Sequence, residues 1–435
     1  MPKTHRLIVE NIGQLATLAN PAAPTRPRTG AAMRELGLIA DAVILVADGR
    51  IHAVGPRAEM RETLAAWQDA ETTVVDAGGC LVTPGFVDAH THAVFAGNRA
   101  GEYEMRIAGA TYQQIAASGG GIHSTVRQTR AASEAELLAA ARRHCRWMRR
   151  GGTTTIEAKS GYGLNLETEL RMLRVLASLE AEGAMRVVPT VLAAHTVPQE
   201  FAEDRAGYLR LVVEEILPAV VAEKLARYCD VFCDDHAFTV DETRQVLTAA
   251  AALGLGLRIH AEQFRPGTGA ALAAELGAAT ADHLEMLDEA TMPLLARAGV
   301  QPVLLPASVF CLSRSQYPPA RQMIDAGLGV VLATDFNPGS SPAPSMAFTM
   351  SLACLQMRMT PAEALTAATH NAACSLGLGG EVGALVPGMV ADFLVHTIAD
   401  VRELAYFVAA PLEPRVFLSG REVIGCRGLD VEVTA

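Results

Sequence analysis

A chain of 435 residues, half of them hydrophobic and only 5% aromatic, can bury a large core dominated by Ala, Leu, Val and Gly. Its formal net charge of −11, with no Lys/Arg-rich tract, argues against a nucleic-acid partner. No uncharged apolar run reaches the ~18 residues of a membrane span, the first six residues do not lead into a signal core, and the eight cysteines are scattered, so a cytoplasmic protein with reduced thiols and no membrane partner is expected.

Residues 1–80 read as short strands joined by turns. An apolar run over 41–47 reaches Asp48-Gly49, a hairpin turn, and 50–54 is its return strand. The middle of the chain alternates strands with amphipathic helices. Strand-like runs fall at 85–90, 153–159, 187–195, 230–235, 257–260, 279–283, 300–305 and 330–335, with helical patterns at 166–181, 241–253 and 268–276. Arg142, Arg143, Arg146, Arg149 and Arg150 recur at helical spacing and predict a solvated helix face. Residues 118–123 predict a loop after the first strand, and helices are expected near 345–358 and 361–376. The end of the chain returns to strands, at 390–396, 415–419 and 422–424. The fold class expected is α/β: a (β/α)₈ TIM-like barrel over 81–387, with a small composite β-sandwich domain built from both termini, 1–80 and 388–435.

The polar residues at the strand ends carry the functional signal. The first strand ends in His90 and runs on to His92; later strands end at Lys159, His195, His260, His283 and Asp335. In a barrel these ends share one face, where barrel active sites lie. Residues two apart on a strand point the same way, so His90 and His92 can hold one ion, with His260 as a third nitrogen and Asp335 as a carboxylate oxygen. A lone His-x-His is weak evidence, and Asp88 could simply cap a turn. Several strand-end ligands in one register are hard to explain as core packing, because an unpartnered buried charge is costly.

The stretch 82–92, VTPGFVDAHTH, resembles the first barrel strand of the amidohydrolase superfamily. AGNRA at 96–100, EAKSGYGL at 157–164, HAEQF at 260–264, DHLE at 282–285 and ATDFNPGSS at 333–341 narrow the resemblance, over nearly the whole chain, to the imidazolonepropionase family. The resemblance implies one divalent metal ion, zinc or iron, on His90, His92, His260 and Asp335. It implies hydrolysis of the cyclic amide of 4-imidazolone-5-propanoate to N-formimidoyl-L-glutamate in histidine degradation, by an enzyme often found as a homodimer. It also implies substrate contacts from Arg99, Tyr162, His195, Gln263, Asn337, Gly339 and Ser340. These residue types suit the chemistry. A substrate propionate calls for a cation, and Arg99 offers a two-pronged clamp. Asp335 would carry the water proton to the leaving nitrogen, and His283 would stabilise the oxyanion. Related deaminases place a glutamate three residues after the third histidine. Here that position is Gln263, which cannot relay a proton and is expected to orient substrate or water; Glu262 stands beside it. Lys159, next to Glu157, is expected to be a local charge partner rather than a bridge between two ions. The competing readings are a ring deaminase, against which Gln263 and Arg99 both count, and an inactive binding relative, against which the intact ligand set counts.

Overall fold

The computed structural model describes residues 5–21, 23–69, 71–110, 114, 119–234 and 237–425. Ser118 of the expected loop, Asp235 at the end of the expected fourth strand, and Cys426 lie outside the described residues. Strands from the two ends of the chain share one eight-stranded mixed sheet. Its members are β1 (Arg6–Ala16), β2 (Leu38–Ala47), β3 (Arg50–Pro56), β4 (Thr73–Asp76), β5 (Leu81–Pro84), β14 (Phe393–Val395), β15 (Arg415–Leu418) and β16 (Arg421–Ile424). The Asp48-Gly49 turn joins β2 to β3 with both residues at positive φ, 48° and 78°, as a two-residue hairpin requires. β1 is the hub: it pairs antiparallel with β2, and parallel with β4 along its first half and β5 along its second. Alternating apolar residues of these strands, among them Val9, Ile44, Val82 and the stacked rings of Phe393 and Phe417, close over a core of their own.

The middle of the chain forms the barrel. Its strands are β6 (Phe86–Thr91), β7 (Thr153–Lys159), β8 (Arg186–Ala194), β9 (Tyr228–Cys233), β10 (Gly256–Ala261), β11 (Thr280–His283), β12 (Gln301–Leu304) and β13 (Val331–Leu332). They are hydrogen-bonded in sequence order, each pair parallel. β13 is only two residues long, so closure onto β6 falls to the segment after it. Thr334 donates from N and Oγ1 to the two oxygens of Asp88, at 3.0 and 2.6 Å. Asp335 N donates to His90 O, and His92 N to Phe336 O. Asp88 therefore closes the barrel rather than capping a turn, and the closure carries Asp335 to the His90–His92 strand end.

Helices pack outside the strands, with Leu166–Ala181 and Gly269–Leu276 close to their expected bounds. The arginine-rich run lies on Glu134–Arg150, where Arg142 pairs with Glu182 and Arg150 with Glu413 on the surface. The loop expected over 118–123 is shorter than the sequence suggested. Ile122 and His123 already open the helix Ile122–Ala131, because Gly121, at φ 80°, supplies the turn that starts it. The helix expected over 361–376 is two, Pro361–Ala367 and His370–Ser375, broken at Thr369. Among the described residues no helix is long and apolar enough to cross a membrane.

Candidate metal centre and substrate cavity

His90 near the end of β6 and His92 just after it face the barrel mouth beside Asp335. Their Nε2 atoms lie 3.6 and 3.5 Å from Asp335 Oδ1. Two donors each ~2.1 Å from a tetrahedral ion sit about 3.4 Å apart, so this spacing suits shared ligation. His260 joins through His90, with ring centroids 4.5 Å apart, and His283 lies within the same reach of both. His90 Nε2 and His260 Nε2 are buried with no protein partner. An imidazole lone pair left unpaired in a dry site is costly, and a cation there removes the cost. The donor set of imidazoles and one carboxylate therefore fits a divalent metal ion.

The other ring nitrogens are fixed from behind. His90 Nδ1 bonds Asp282 Oδ2 at 2.6 Å, and His260 Nδ1 bonds Asp230 Oδ1 at 3.0 Å. With Nδ1 held by a carboxylate, Nε2 is the nitrogen free to coordinate. Lys159 Nζ, fully buried, lies 2.7 Å from Asp230 Oδ2 and 2.9 Å from Glu157 Oε1, and Arg258 Nη2 lies 3.3 Å from Asp282 Oδ2. Lys159 is thus a charge partner, held protonated because Asp230 and Glu157 outweigh the effect of burial. Burial, reinforced by Lys159, holds His90 well below the ordinary imidazole range, and burial also lowers His260. Both imidazoles are therefore neutral at physiological pH, the form that can coordinate a metal ion. Burial works against an ionised Asp335, but the bond from His92 and the surrounding imidazoles outweigh it and bring the carboxyl to about 2. His283 is shifted the other way: burial disfavours its charge, yet Glu285, 3.4 Å from Nδ1, and Asp335 raise it overall.

Left-handed backbone at the strand ends aims these groups. Asp335 has φ 54° and His283 φ 80°. Strict alternation would send Asp282 and His283 to opposite faces of β11. The turn at His283 lets Asp282 stay beneath His90 while His283 enters the mouth. Such conformations are costly for non-glycine residues and concentrate at functional sites.

A cavity of about 530 Å³ opens above the ligands. Its lining includes every residue expected at the substrate: Arg99, Tyr162, His195, Gln263, Asn337, Gly339 and Ser340, together with His92, His260, His283 and Asp335. His195 Nδ1 is tied to Gly161 O at 3.0 Å, and its ring stacks on His92. Gly161, at φ 100°, leaves no room for a Cβ, which would sit 2.9 Å from Leu192 O. Burial, with Asp335 nearby, raises the Tyr162 phenol, so it stays a neutral hydrogen-bonding group. Asn337 Oδ1 accepts from the backbone N of Gly339 and Ser340, both at 2.8 Å, and Ser340 Oγ reaches Asp335 Oδ2 at 3.3 Å. Gly119, Gly120, Gly121 and His123 border the opening. Glu262 does not face the ligands: its carboxylate accepts from Ala270 N, and burial pushes it up to about 7. Sequence reasoning assigned no role to Asp230, Asp282, Arg258 or Glu102. Asp230 lies inside β9 and Asp282 near the end of β11, each on a strand next to or carrying a histidine, and nothing local in the sequence marks them.

The amidohydrolase family model matches residues 81–421, and the chain belongs to that family of metal-dependent hydrolases. Within it, the chain belongs with the imidazolonepropionases. It is 56% identical to the imidazolonepropionase of Solibacter usitatus over 411 residues, covering 94% of this chain and 97% of that one. It is 44% identical to that of Symbiobacterium thermophilum over 419 residues, covering 96% and 97%. Among solved structures, an adenosine deaminase from Xanthomonas campestris with bound zinc superposes with a TM-score of 0.70 at 19% identity, covering 97% of this chain and 94% of that one. Escherichia coli guanine deaminase superposes with a TM-score of 0.67 at 16% identity, covering 96% and 99%. At these identities the two deaminases share the fold.

Proposed function

We propose that this enzyme adds water across the cyclic amide of 4-imidazolone-5-propanoate and releases N-formimidoyl-L-glutamate, a step of histidine degradation. The observation that carries the reading is the single cavity in which a guanidinium, Arg99, faces the same space as the histidine–aspartate cluster. The relatives named for this substrate support it. In this reading His90, His92, His260 and Asp335 hold one ion, zinc or iron, both of which accept imidazole and carboxylate donors. When bound, the ion polarises the ring carbonyl and makes a water acidic.

The chain's own groups do the rest. Arg99 binds the propionate and sets the ring over the ligands. Asp335 Oδ2 takes the attacking water's proton and delivers it to the ring nitrogen as the C–N bond breaks. His283 donates to the oxygen that gains negative charge, a role its raised proton affinity favours. Tyr162, His195, Asn337, Gly339 and Ser340 line the space around the ring, and Gln263 orients it or the water. The new C–O bond leaves a carboxylate, and the amide nitrogen leaves protonated.

Turnover of 4-imidazolone-5-propanoate by purified protein, with elemental analysis of the same sample, tests this. One ion per chain and N-formimidoyl-L-glutamate as product are expected. His90→Ala should lose both the ion and ring opening. Full turnover by a metal-free His90→Ala variant, or ammonia release from ring amines without ring opening, would sink the assignment.

We also propose a homodimer, supported by the exposed Phe310, Leu355 and Tyr406 on three packed helices and by Phe407 and Val408 just past the last of them. A cytoplasmic location is proposed as well, supported by seven free thiols among the described residues. We also propose that a small β domain, expected over 1–80 and 388–435, flanks the catalytic barrel expected over 81–387, with the first boundary moved to Gly85 because β5 (Leu81–Pro84) pairs within the terminal sheet.

A further inference from the structure

Arg99 is the N-cap residue of the helix Ala100–Ile107, and Glu102 lies in that helix's first turn. Arg99 Nε and Nη2 both reach one oxygen, Glu102 Oε2, at 2.7 and 2.6 Å. Both side chains are mostly buried, with exposures of 21% and 15%. The guanidinium also lies against Gly339: a Cβ there would sit 2.0 Å from Arg99 Nη1. Gly339 N is in turn bonded to Asn337, and Asn337 Nδ2 donates to Ser340 Oγ, which reaches Asp335. The guanidinium is therefore held on one side by Glu102 and fitted on the other into the gap of a loop that is itself tied to the catalytic carboxylate.

Arg99, Glu102 and Gly339 also border a second cavity of about 570 Å³, floored by Phe95, His144, Trp147 and Phe336. The ion pair stands in the wall between the two spaces, so an arginine released from Glu102 has a second cavity beside it. A guanidinium can bind a carboxylate along its Nε/Nη2 edge or across its Nη1/Nη2 end. Glu102 takes the first through a single oxygen, so an incoming carboxylate would use the second, beside Gly339.

We propose that Glu102 is a positioning residue that sets the enzyme's preference for an anionic substrate tail, by holding the Arg99 guanidinium on the catalytic side of this wall with its Nη1/Nη2 end available. The proposal rests on the reading of Arg99 as the propionate clamp. Glu102 and the substrate carboxylate are then simultaneous partners of one arginine, not rivals for it.

The experiment compares 4-imidazolone-5-propanoate with its propionamide analogue, on wild type and on Glu102→Gln, Glu102→Asp and Arg99→Met. Wild type should favour the acid. Glu102→Gln should raise KM for the acid about ten-fold, change kcat far less, and leave KM for the amide near its wild-type value. Glu102→Asp, which keeps the charge, should recover part of the loss. A general loss of structure would move the acid and the amide alike and overturn the proposal. So would an unchanged or lower KM for the acid in Glu102→Gln, the lower value showing that Glu102 competes with substrate. Arg99→Met separates the two claims. If it abolishes the preference for the acid while Glu102→Gln does not weaken it, the clamp stands and the role of Glu102 falls. If Arg99→Met keeps the preference, both fall.

Discussion

Gln263 and Glu262 are adjacent, and the backbone decides which of them meets the substrate. Glu262 takes a left-handed conformation, φ 49°, and turns its carboxylate onto the first amides of the helix Gly269–Leu276. A negative group at a helix start satisfies unpaired N–H groups and favours the helix dipole. Gln263 is left to line the cavity. Glu262→Gln should therefore leave kcat within about two-fold and cost about 1 kcal/mol of stability, read as a lower Tm with unaltered pH–rate dependence. Gln263→Glu should do the reverse. It introduces a titrating group at the substrate, and the pH–rate profile should gain a limb the wild type lacks. An unchanged profile would mean that position 263 never faces the reacting proton.

At the scale of strands, the proposed metal ligands depend on carboxylates that are not themselves proposed as ligands. Asp230, at β9, is bonded to His260, and Asp282, at β11, to His90; Lys159 on β7 is paired with Asp230 and Arg258 on β10 with Asp282. Losing such a partner typically weakens metal binding ten- to a hundred-fold. Asp230→Asn should show a loss of about that size in a chelator competition, because an amide cannot fix the His260 tautomer through charge. Equal retention of metal by variant and wild type would show that His260 is held by packing alone.

This layer marks where the sequence stops being legible. The eight strands could be found because parallel barrel strands are apolar runs bounded by helices, and Thr153–Lys159 begins and ends where the pattern said. The ligand positions followed from strand ends. Asp230 and Asp282 looked like ordinary strand residues, since nothing local says which barrel residue stands opposite which. His283 beside Asp282 breaks the two-residue alternation, and only the positive φ explains how both face inward. Closure through Asp88 and Thr334 joins residues 246 positions apart, a pairing that no local pattern contains.

Over the whole molecule, the terminal sheet and the barrel are joined through a buried contact. β5 passes into β6 through Gly85, where a Cβ would come within 2.2 Å of Thr154 Oγ1, so the two bodies approach too closely for any side chain. His396, just after β14, is buried in this contact: its Nε2 shares a 2.8 Å hydrogen bond with Thr83 Oγ1, and its ring lies 6.1 Å from Phe86. Burial lowers its pKa from 6.5 to about 3. The folded protein therefore keeps His396 neutral where the unfolded chain would protonate it. Its contribution is intact above pH 6.5 and is lost as pH falls from 6.5 toward 3, at about 1.4 kcal/mol per pH unit. Between pH 6.5 and 5.0 that is about 2 kcal/mol. His396→Gln can still bond Thr83 but cannot titrate. The fall in Tm between pH 7.5 and 5.0 should be smaller in the variant than in wild type, with metal content held equal. The same fall in both would assign the acid sensitivity to other groups and leave the junction indifferent to pH.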